Sequence, residues 1–249
     1  MERFSVKALG TVSPHCSKDS NCPGFLVTAG ENKILLDAGS GITRMLDMKE
    51  DLKNLKVILT HSHWDHIGDI FNLGYDSYLY NEKIDLYVPF YGELDNLLSK
   101  HQPVNWDIHY INRINRDKRI NFGDYSIELL KTKHSDDSYA VKLVYDDKYI
   151  YKSIVYTSDI GTKDIKDIID FSKEADLLIC ESSFYSGHHL FNENHLHATD
   201  SGMIADCAKV KKLVLTHFWP EDDRNKYVSE AKVNFANTVA AREGDIYLV

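Results

Sequence analysis

In the stretch VILTHSHWDH, Val57 to His66, three histidines and one aspartate fall within six residues directly after an apolar run. Imidazole nitrogens and carboxylate oxygens at this density are a donor set for zinc or a similar divalent cation. His61 and His63 stand two apart, so in an extended or tightly turned segment both side chains point the same way. Asp65 and His66 follow at a turn or a first helical residue and can face another direction. Four ligands in six residues would struggle to enclose one tetrahedral ion. Two on each of two adjacent ions is easier, provided that distant residues complete both sites.

The rest of the chain offers such residues in a recurring form. A run of β-branched and apolar residues ends in an ionisable group five times: KVILTH delivers His61, YSIELLKTKH His134, YIYKSIVYTSD Asp159, DLLICE Glu181 and KLVLTH His217. In layered α/β proteins polar chemistry gathers beyond the carboxyl ends of strands, so five groups delivered alike can converge on one rim. A carboxylate such as Asp159 has two oxygens and can bridge two cations. The expected count is His61, His63 and His134 with Asp159 at one ion, and Asp65, His66 and His217 with the same Asp159 at the other. Nitrogen and oxygen ligands suit two zinc ions, with manganese or iron as alternatives. A hydroxide held between the ions is a competent nucleophile near neutral pH, because a bound metal lowers the pKa of water to roughly 7.

The strands alternate with helical patterns. Helical spacing runs over Ser40 to Leu55, over Asp164 to Ala175 and over Ala198 to Val210, the last with Thr199 and Asp200 as candidate N-caps. FLVTAGENKILLDAG reads as a hairpin around AGEN. KVILTHSHWD (Lys56 to Asp65) echoes KLVLTHFWPE (Lys212 to Glu221), the trace two related halves about a pseudo-twofold would leave. No long linker or low-complexity tract interrupts residues 1–249, so a single α/β domain is the simplest account.

Composition excludes several classes. The chain has 43% hydrophobic and 27% charged residues, ordinary for a globular protein. No apolar run approaches the roughly 20 residues that cross a bilayer, and MERFSVKALG lacks a secretory core, so a cytoplasmic protein without membrane partners is expected. A net charge of -9 disfavours a polyanion such as nucleic acid as partner, and the basic stretch from Asn112 to Arg119 reads as a solvated turn. Cys16, Cys22, Cys180 and Cys207 show no CxxC pattern. They read as small buried or half-buried thiols, with a Cys16–Cys22 metal site or disulfide as the less favoured alternative. The tyrosine-rich stretch from Tyr75 to Tyr91 could offer a face to a base or aromatic substrate, although such residues by default pack a core or a lid.

Taken in order, His61, His63, Asp65, His66, His134, Asp159 and His217 resemble the ligand set of the metallo-β-lactamase-fold hydrolases, and the resemblance runs over essentially the whole chain. It implies an α/β (α+β) four-layer αββα sandwich: two mixed sheets facing each other, helices outside, metals at one edge. LLDAGSG (Leu35 to Gly41) looks like that family's early turn, with Asp37 in a buried supporting role. Within the superfamily the chain is most similar to the phosphodiesterase branch that includes tRNase Z. GTVSPHCSKDSNCPGFLV resembles its opening, ESS (Glu181 to Ser183) its acidic strand end, and HLHATDSGMIADCAKVKKLVLTHF its His-x-Thr helix start and last metal histidine. The resemblance implies that Glu181 orients His197, which protonates the leaving oxygen, while Asp65 is both ligand and catalytic residue. His195 ranks second as the acid, and His188 and His189 read as solvated or substrate-contacting loop residues.

Two departures bear on substrate. tRNase Z carries a protruding arm between its third ligand region and the bridging aspartate, whereas His134 and Asp159 here are only 25 positions apart. The acidic net charge points the same way. The expected function is therefore a dinuclear metal-dependent phosphodiesterase for a small phosphodiester such as a cyclic nucleotide or nucleotide-like ester, acting as a monomer or a homodimer. The alternatives are a tRNase Z-like endoribonuclease, a thioester or lactone hydrolase of the same fold, and a metal-binding protein that performs no chemistry.

Overall fold

The structure, a computed structural model, describes residues 4–89, 92–101, 106–111, 119–134, 137–146 and 149–249. Phe90, Tyr91 and the basic stretch up to Lys118 lie outside the described residues. The chain divides into two compact units, residues 1–116 with 242–248 and residues 117–241 with 249.

The first unit is built on seven strands: β1 (Phe4–Gly10), β2 (Gly24–Ala29), β3 (Asn32–Leu36), β4 (Leu55–Ile58), β5 (Ile84–Val88), β6 (Trp106–Tyr110) and β14 (Ile246–Leu248). Their order in the sheet is β14-β1-β2-β3-β4-β5-β6. The junctions from β14 to β3 are antiparallel and those from β3 to β6 parallel. The parallel strands are short, and in β3, β4 and β5 the apolar residues are buried while Asn32, Lys33, Lys56 and Asp85 are part-exposed. Val57, Ile58 and Leu86 are fully buried, and Leu35, Val57, Leu86 and Trp106 belong to one continuous core. The expected hairpin forms: β2 pairs with β3 around Gly30, whose φ of 62° suits a tight turn. The unit's helices are α1 (Met48–Asp51), α2 (Trp64–Ile67), α3 (Ile70–Tyr80) and α4 (Gly92–His101).

The single helix expected over Ser40 to Leu55 is not formed. A 3-10 turn, Ile42–Met45, ends where Leu46 turns extended, and Asp47 starts α1 afresh by accepting from Lys49 N at 3.1 Å. Asp69 draws the first piece aside, because its carboxylate takes both the amide and the hydroxyl of Thr43. Local polar bonds here win over an apolar spacing that looked continuous. On α3 the side chains of Tyr75, Tyr78 and Tyr80 are exposed, whereas Tyr87 on β5 is buried and stacks on His109.

The second unit holds β7 (Ile120–Phe122), β8 (Tyr125–Lys131), β9 (Tyr139–Asp146), β10 (Tyr151–Tyr156), β11 (Leu177–Glu181), β12 (Leu213–Thr216) and β13 (Thr238–Ala240). The order is β13-β12-β11-β10-β9-β8-β7. From β7 to β10 the junctions are antiparallel, and from β10 to β13 parallel. Both β8 and β10 run antiparallel to β9, so β8, β10, β11 and β12 share one direction. Their carboxyl ends therefore lie on one edge of this sheet, and His134, Asp159, Glu181 and His217 leave from it. The helices are α5 (Ile165–Phe171), α6 (Ala198–Ala208) and α7 (Arg224–Ala231). The N-cap of α6 is His197, not Thr199 or Asp200. Asp200 sits one turn inside and accepts from the His197 amide at 3.3 Å. Among the described residues no helix is long and apolar enough to cross a membrane.

Candidate metal centre

In the first unit the ligand candidates run from the loop after β4, which carries His61 and His63, into α2, which carries Asp65 and His66. His61 and His66 are fully buried, whereas His63 and Asp65 are part-exposed. This stretch is fixed from behind by Asp37, which follows β3, is fully buried and adopts a left-handed φ of 60°. Its carboxylate accepts from Thr60 N at 2.8 Å, from Thr60 Oγ1 at 2.9 Å and from His66 Nδ1 at 2.7 Å. Asp65 is held separately by the Ser13 hydroxyl, which donates to Oδ2 at 2.7 Å.

In the second unit the candidates come from separate strand ends. Asp159 is 2% exposed, with His217 Nε2 2.9 Å from Oδ1 and His134 Nε2 3.5 Å from Oδ2. Asp159, His195 and His217 place ligand atoms within 4.8 Å of one another. Ser158 and His217 both have left-handed backbones, φ 53° and 66°. For non-glycine residues this costs about 1–3 kcal/mol each and clusters at functional sites.

Hydrogen-bond bookkeeping shows that these donor sets suit a cation. His134 Nδ1 lies 3.2 Å from the carbonyl of Asn194, which can only accept, so Nδ1 carries the proton. In the neutral ring, Nε2 then turns a lone pair toward the Asp159 carboxylate. His217 repeats the pattern. Ser183 Oγ donates to Glu181 Oε2 at 2.7 Å and so accepts from His217 Nδ1 at 2.8 Å, which leaves the Nε2 lone pair facing Asp159. In the first unit His66 donates from Nδ1 to Asp37, and its Nε2 faces Asp65 Oδ2 at 3.7 Å. Thr60 Oγ1, spending its proton on Asp37, accepts from His61 Nδ1 at 3.1 Å. His61 Nε2 then meets His63 Nδ1 at 3.1 Å. Lone pairs aimed at carboxylates repel unless a positive charge lies between them. This is the arrangement in which outer hydrogen bonds fix the tautomers of metal-binding histidines.

Glu181 overturns one expectation: it holds His195, not His197. Its buried carboxylate accepts from His195 Nδ1 at 3.0 Å, Ile160 N at 2.8 Å, Ser183 Oγ at 2.7 Å and Leu196 N at 3.3 Å. Four donors fill the lone-pair sites of a carboxylate and leave none for His197. That residue instead stacks on Phe191 with centroids 3.9 Å apart, and its Nδ1 lies 3.8 Å from Asp200. The missed signal was the Asp three residues after His197, a pattern that marks a helix start. Burial pulls the pKa of His195 down, but the charge and hydrogen bond of Glu181 outweigh it, and the net direction is up. Burial likewise opposes ionisation of Glu181, and the charge of His195 reverses it, so the carboxyl titrates below its usual range.

The other loop histidines have different surroundings. His188 is buried rather than solvated. It accepts from Leu190 N at Nδ1, so Nε2–H donates to Asp222 at 3.2 Å. His189 is exposed and stacks on His188. Ser183, Thr60 and Ser13, each one hydrogen bond behind a candidate ligand, carried no signal in the sequence, because serine and threonine are too common for position alone to mark them.

Known proteins resemble the chain over its whole length. The profile of a family described as "Beta-lactamase superfamily domain" matches residues 32–218. The probable metallo-hydrolase YhfI of Bacillus subtilis is 31% identical over 252 residues, covering 98% of this chain and 99% of that protein. The crystal structure of YhfI, described as a metallo-beta-lactamase fold protein, superposes with a TM-score of 0.87 over 100% of both chains at 25% identity. Ribonuclease Z of Archaeoglobus fulgidus is 25% identical over 297 residues, covering 96% of each chain. A diphosphatase from the PhnP family superposes with a TM-score of 0.72 at 17% identity, over 98% of this chain and 97% of that one, which shows the shared fold alone. The two seven-stranded mixed sheets with their helices are thus the metallo-β-lactamase fold expected from the sequence.

Proposed function

The chain belongs to the beta-lactamase superfamily, and from that premise we propose that it is a metal-dependent phosphodiesterase acting on a small phosphodiester. The observation that carries this reading is the Glu181–His195 pair beside Asp159 and His217. A departing alkoxide needs a proton, and an imidazole held by a carboxylate supplies one. With Nδ1 committed to Glu181, His195 keeps its transferable proton on Nε2. Hydrolysis of a thioester, whose weakly basic thiolate can leave unprotonated, does not require this pair. One of the relatives, ribonuclease Z, bears a name that denotes cleavage at phosphorus.

The ligand assignment belongs to the same proposal. His61, His63, His134 and Asp159 would hold one divalent ion, and Asp65, His66 and His217, again with Asp159, would hold a second. Zinc suits these donors, with manganese or iron as alternatives. Bound there, the metals would supply Lewis-acid neutralisation of the phosphoryl oxygens and an activated water. The chain's own contribution is to fix the imidazoles through Asp37, Thr60, Ser183 and the Asn194 carbonyl, and to deliver the leaving-group proton from His195.

A small substrate fits the chain between His134 and Asp159. Its described residues are largely taken up by β9 and β10, two neighbouring strands of the sheet. Metal analysis followed by a panel of cyclic nucleotides, bis-aryl phosphates, thioesters, lactones and a precursor tRNA tests the reading. Turnover of small phosphodiesters by metal-loaded protein is expected. Faster cleavage of precursor tRNA would replace it with the endoribonuclease reading, and turnover of carbonyl esters alone would end it. Bound metal with no turnover on any substrate would favour a binding role.

A further inference from the structure

The segment between β1 and β2 carries two cysteines that the hydrolytic chemistry does not use. Cys16 is exposed, Cys22 is 1% exposed, and neither is in a disulfide. Their sulfurs lie 3.7 Å apart. The pair is organised around the carbonyl of Ser40, which accepts from the Cys16 thiol at 2.8 Å and from Cys22 N at 3.0 Å. The base of the segment is closed by Thr11 N and Val12 N, both donating to Asn21 O, at 2.8 and 3.1 Å. Asn21 is anchored in turn by its side chain, which donates to Leu9 O at 2.7 Å. Burial, and after it the neighbouring Cys16, push the Cys22 thiol well above its ordinary range, so Cys22 meets an oxidant poorly by itself. Cys16 has the access that Cys22 lacks. The other two cysteines serve as comparators: Cys180 is fully buried, and Cys207 lies exposed on α6.

We propose that Cys16 and Cys22 form a reversible disulfide site, oxidised by a hydroperoxide through Cys16 and resolved by Cys22. In the first step the Cys16 sulfur attacks a peroxide oxygen. A sulfur–oxygen bond forms, the oxygen–oxygen bond breaks, and the alcohol (water, for hydrogen peroxide) leaves with the thiol proton. The Cys22 sulfur then attacks the sulfenic sulfur of Cys16. The sulfur–sulfur bond forms, the sulfur–oxygen bond breaks, and the leaving hydroxide takes the Cys22 proton to depart as water. The two thiols together lose two electrons, and the peroxide gains them. Bridging requires the sulfurs to close from 3.7 Å to about 2.05 Å. Release of the Cys16 thiol from Ser40 permits this, because Cys16 is the exposed member of the pair. The same segment carries Ser13, whose hydroxyl holds Asp65, so the bridge would fasten the stretch that touches that carboxylate. This inference goes beyond the hydrolytic reading, and its readout does not depend on it.

The test uses the full-length protein, reduced, freed of reductant and exposed to a small molar excess of hydrogen peroxide. Titratable thiols are expected to fall from four to two, with a loss of two hydrogens and no added oxygen in the intact mass. Peptide mapping should join Cys16 to Cys22, and dithiothreitol should restore all four thiols. Cys22→Ala should stop Cys16 at a sulfenic acid that dimedone traps. Cys16→Ser, at an exposed position, should leave all three remaining thiols intact under the same treatment. The proposal is overturned if Cys16 proceeds to sulfinic acid in the wild type, if it links to a second chain, if Cys22 stays reduced while Cys16 is consumed, or if Cys207 reacts ahead of the pair.

Discussion

Counted from the antiparallel edge of its sheet, β3 is the fourth strand in the first unit and β10 the fourth in the second. Each is the first member of a parallel block, and each leads into Asp-x-Gly: Asp37-Ala38-Gly39 and Asp159-Ile160-Gly161. Both turns pass through left-handed backbone, at Asp37 and at Ser158. Both need their glycine, because a Cβ on Gly39 would sit 2.2 Å from Asp65 O and one on Gly161 2.4 Å from Glu193 O. The same turn nevertheless serves two purposes. Asp37 receives protons from Thr60 and His66 and acts as a support. Asp159 faces the lone pairs of His134 and His217, which have spent their protons elsewhere. On the proposed assignment, a supporting carboxylate differs from a ligand in the tautomer its neighbours are held in, and that is set one hydrogen bond further out.

Removing either carboxylate should separate the two roles most strongly. Asp159→Ala should have the largest effect of any single change, with activity at background and a fall in bound metal by elemental analysis. Asp37→Ala should keep a measurable site, lowering metal affinity or activity about 10–100-fold. It should also cost about 1–3 kcal/mol in chemical denaturation, because Thr60 and His66 would be left without a buried acceptor. Equal loss of metal in the two variants would show that the aspartates do not divide the roles as described.

Between those extremes lies the proposed acid, His195. His195→Ala should retain metal and lose about 10²–10⁴-fold on phosphodiesters with poor leaving groups, and much less on activated aryl esters. A uniform loss across leaving groups would mark His195 as a ligand or a packing residue. Ser183→Ala removes the link between Glu181 and His217 and should cost about 10–100-fold in metal affinity or activity. Metal affinity and activity both at the wild-type level would show that His217 does not depend on its outer hydrogen bond.

Much of this division was legible in the sequence and some was not. The contiguous cluster from His61 to His66 announces itself because a loop and the helix start after it supply four donors in six residues. The strand-end groups His134, Asp159, Glu181 and His217 were visible because apolar runs point to them, and β8, β10, β11 and β12 indeed share one edge. The internal echo misled. KVILTH lies on the fifth strand of its sheet and KLVLTH on the sixth of the other, so the matching strands are not equivalent in sheet order. The equivalent turns are the two Asp-x-Gly sequences, too short to stand out in one chain. Pairing Glu181 with His197 rather than His195 failed for a related reason. Residues two apart in an extended stretch look interchangeable, and only the start of α6 decides which of them is diverted to cap a helix.

Proton linkage gives a smaller and more specific test of the Glu181–His195 pair. The pKa of His195 is raised, so its stabilising contribution is complete below its ordinary value of 6.5 and is lost as pH rises through the folded value. That of Glu181 is lowered, so its contribution is present above 4.5 and is lost as pH falls through the folded value. The pair therefore stabilises the fold most between those two limits. The alkaline limb of activity on poor leaving groups should follow His195, since the acid must be protonated. Glu181→Gln should move that limb to lower pH, because the charge that holds the proton is gone. A limb that stays in place would assign it to another group.

The smallest effect is expected at His197, two residues from the acid. Its ring is part-exposed and its Nδ1 is too far from Asp200 for a hydrogen bond. The helix start is held instead by the His197 amide donating to Asp200, which an alanine would keep. The loss in His197→Ala is the stack on Phe191, worth about 0.5–1.5 kcal/mol by thermal denaturation. Activity on poor and good leaving groups should stay close to wild type. His195→Ala and His197→Ala, assayed side by side, thus ask which histidine the carboxylate serves. A leaving-group-dependent loss in His197→Ala, with His195→Ala unaffected, would return the proton to the helix cap and reduce the Glu181 contact to a structural one.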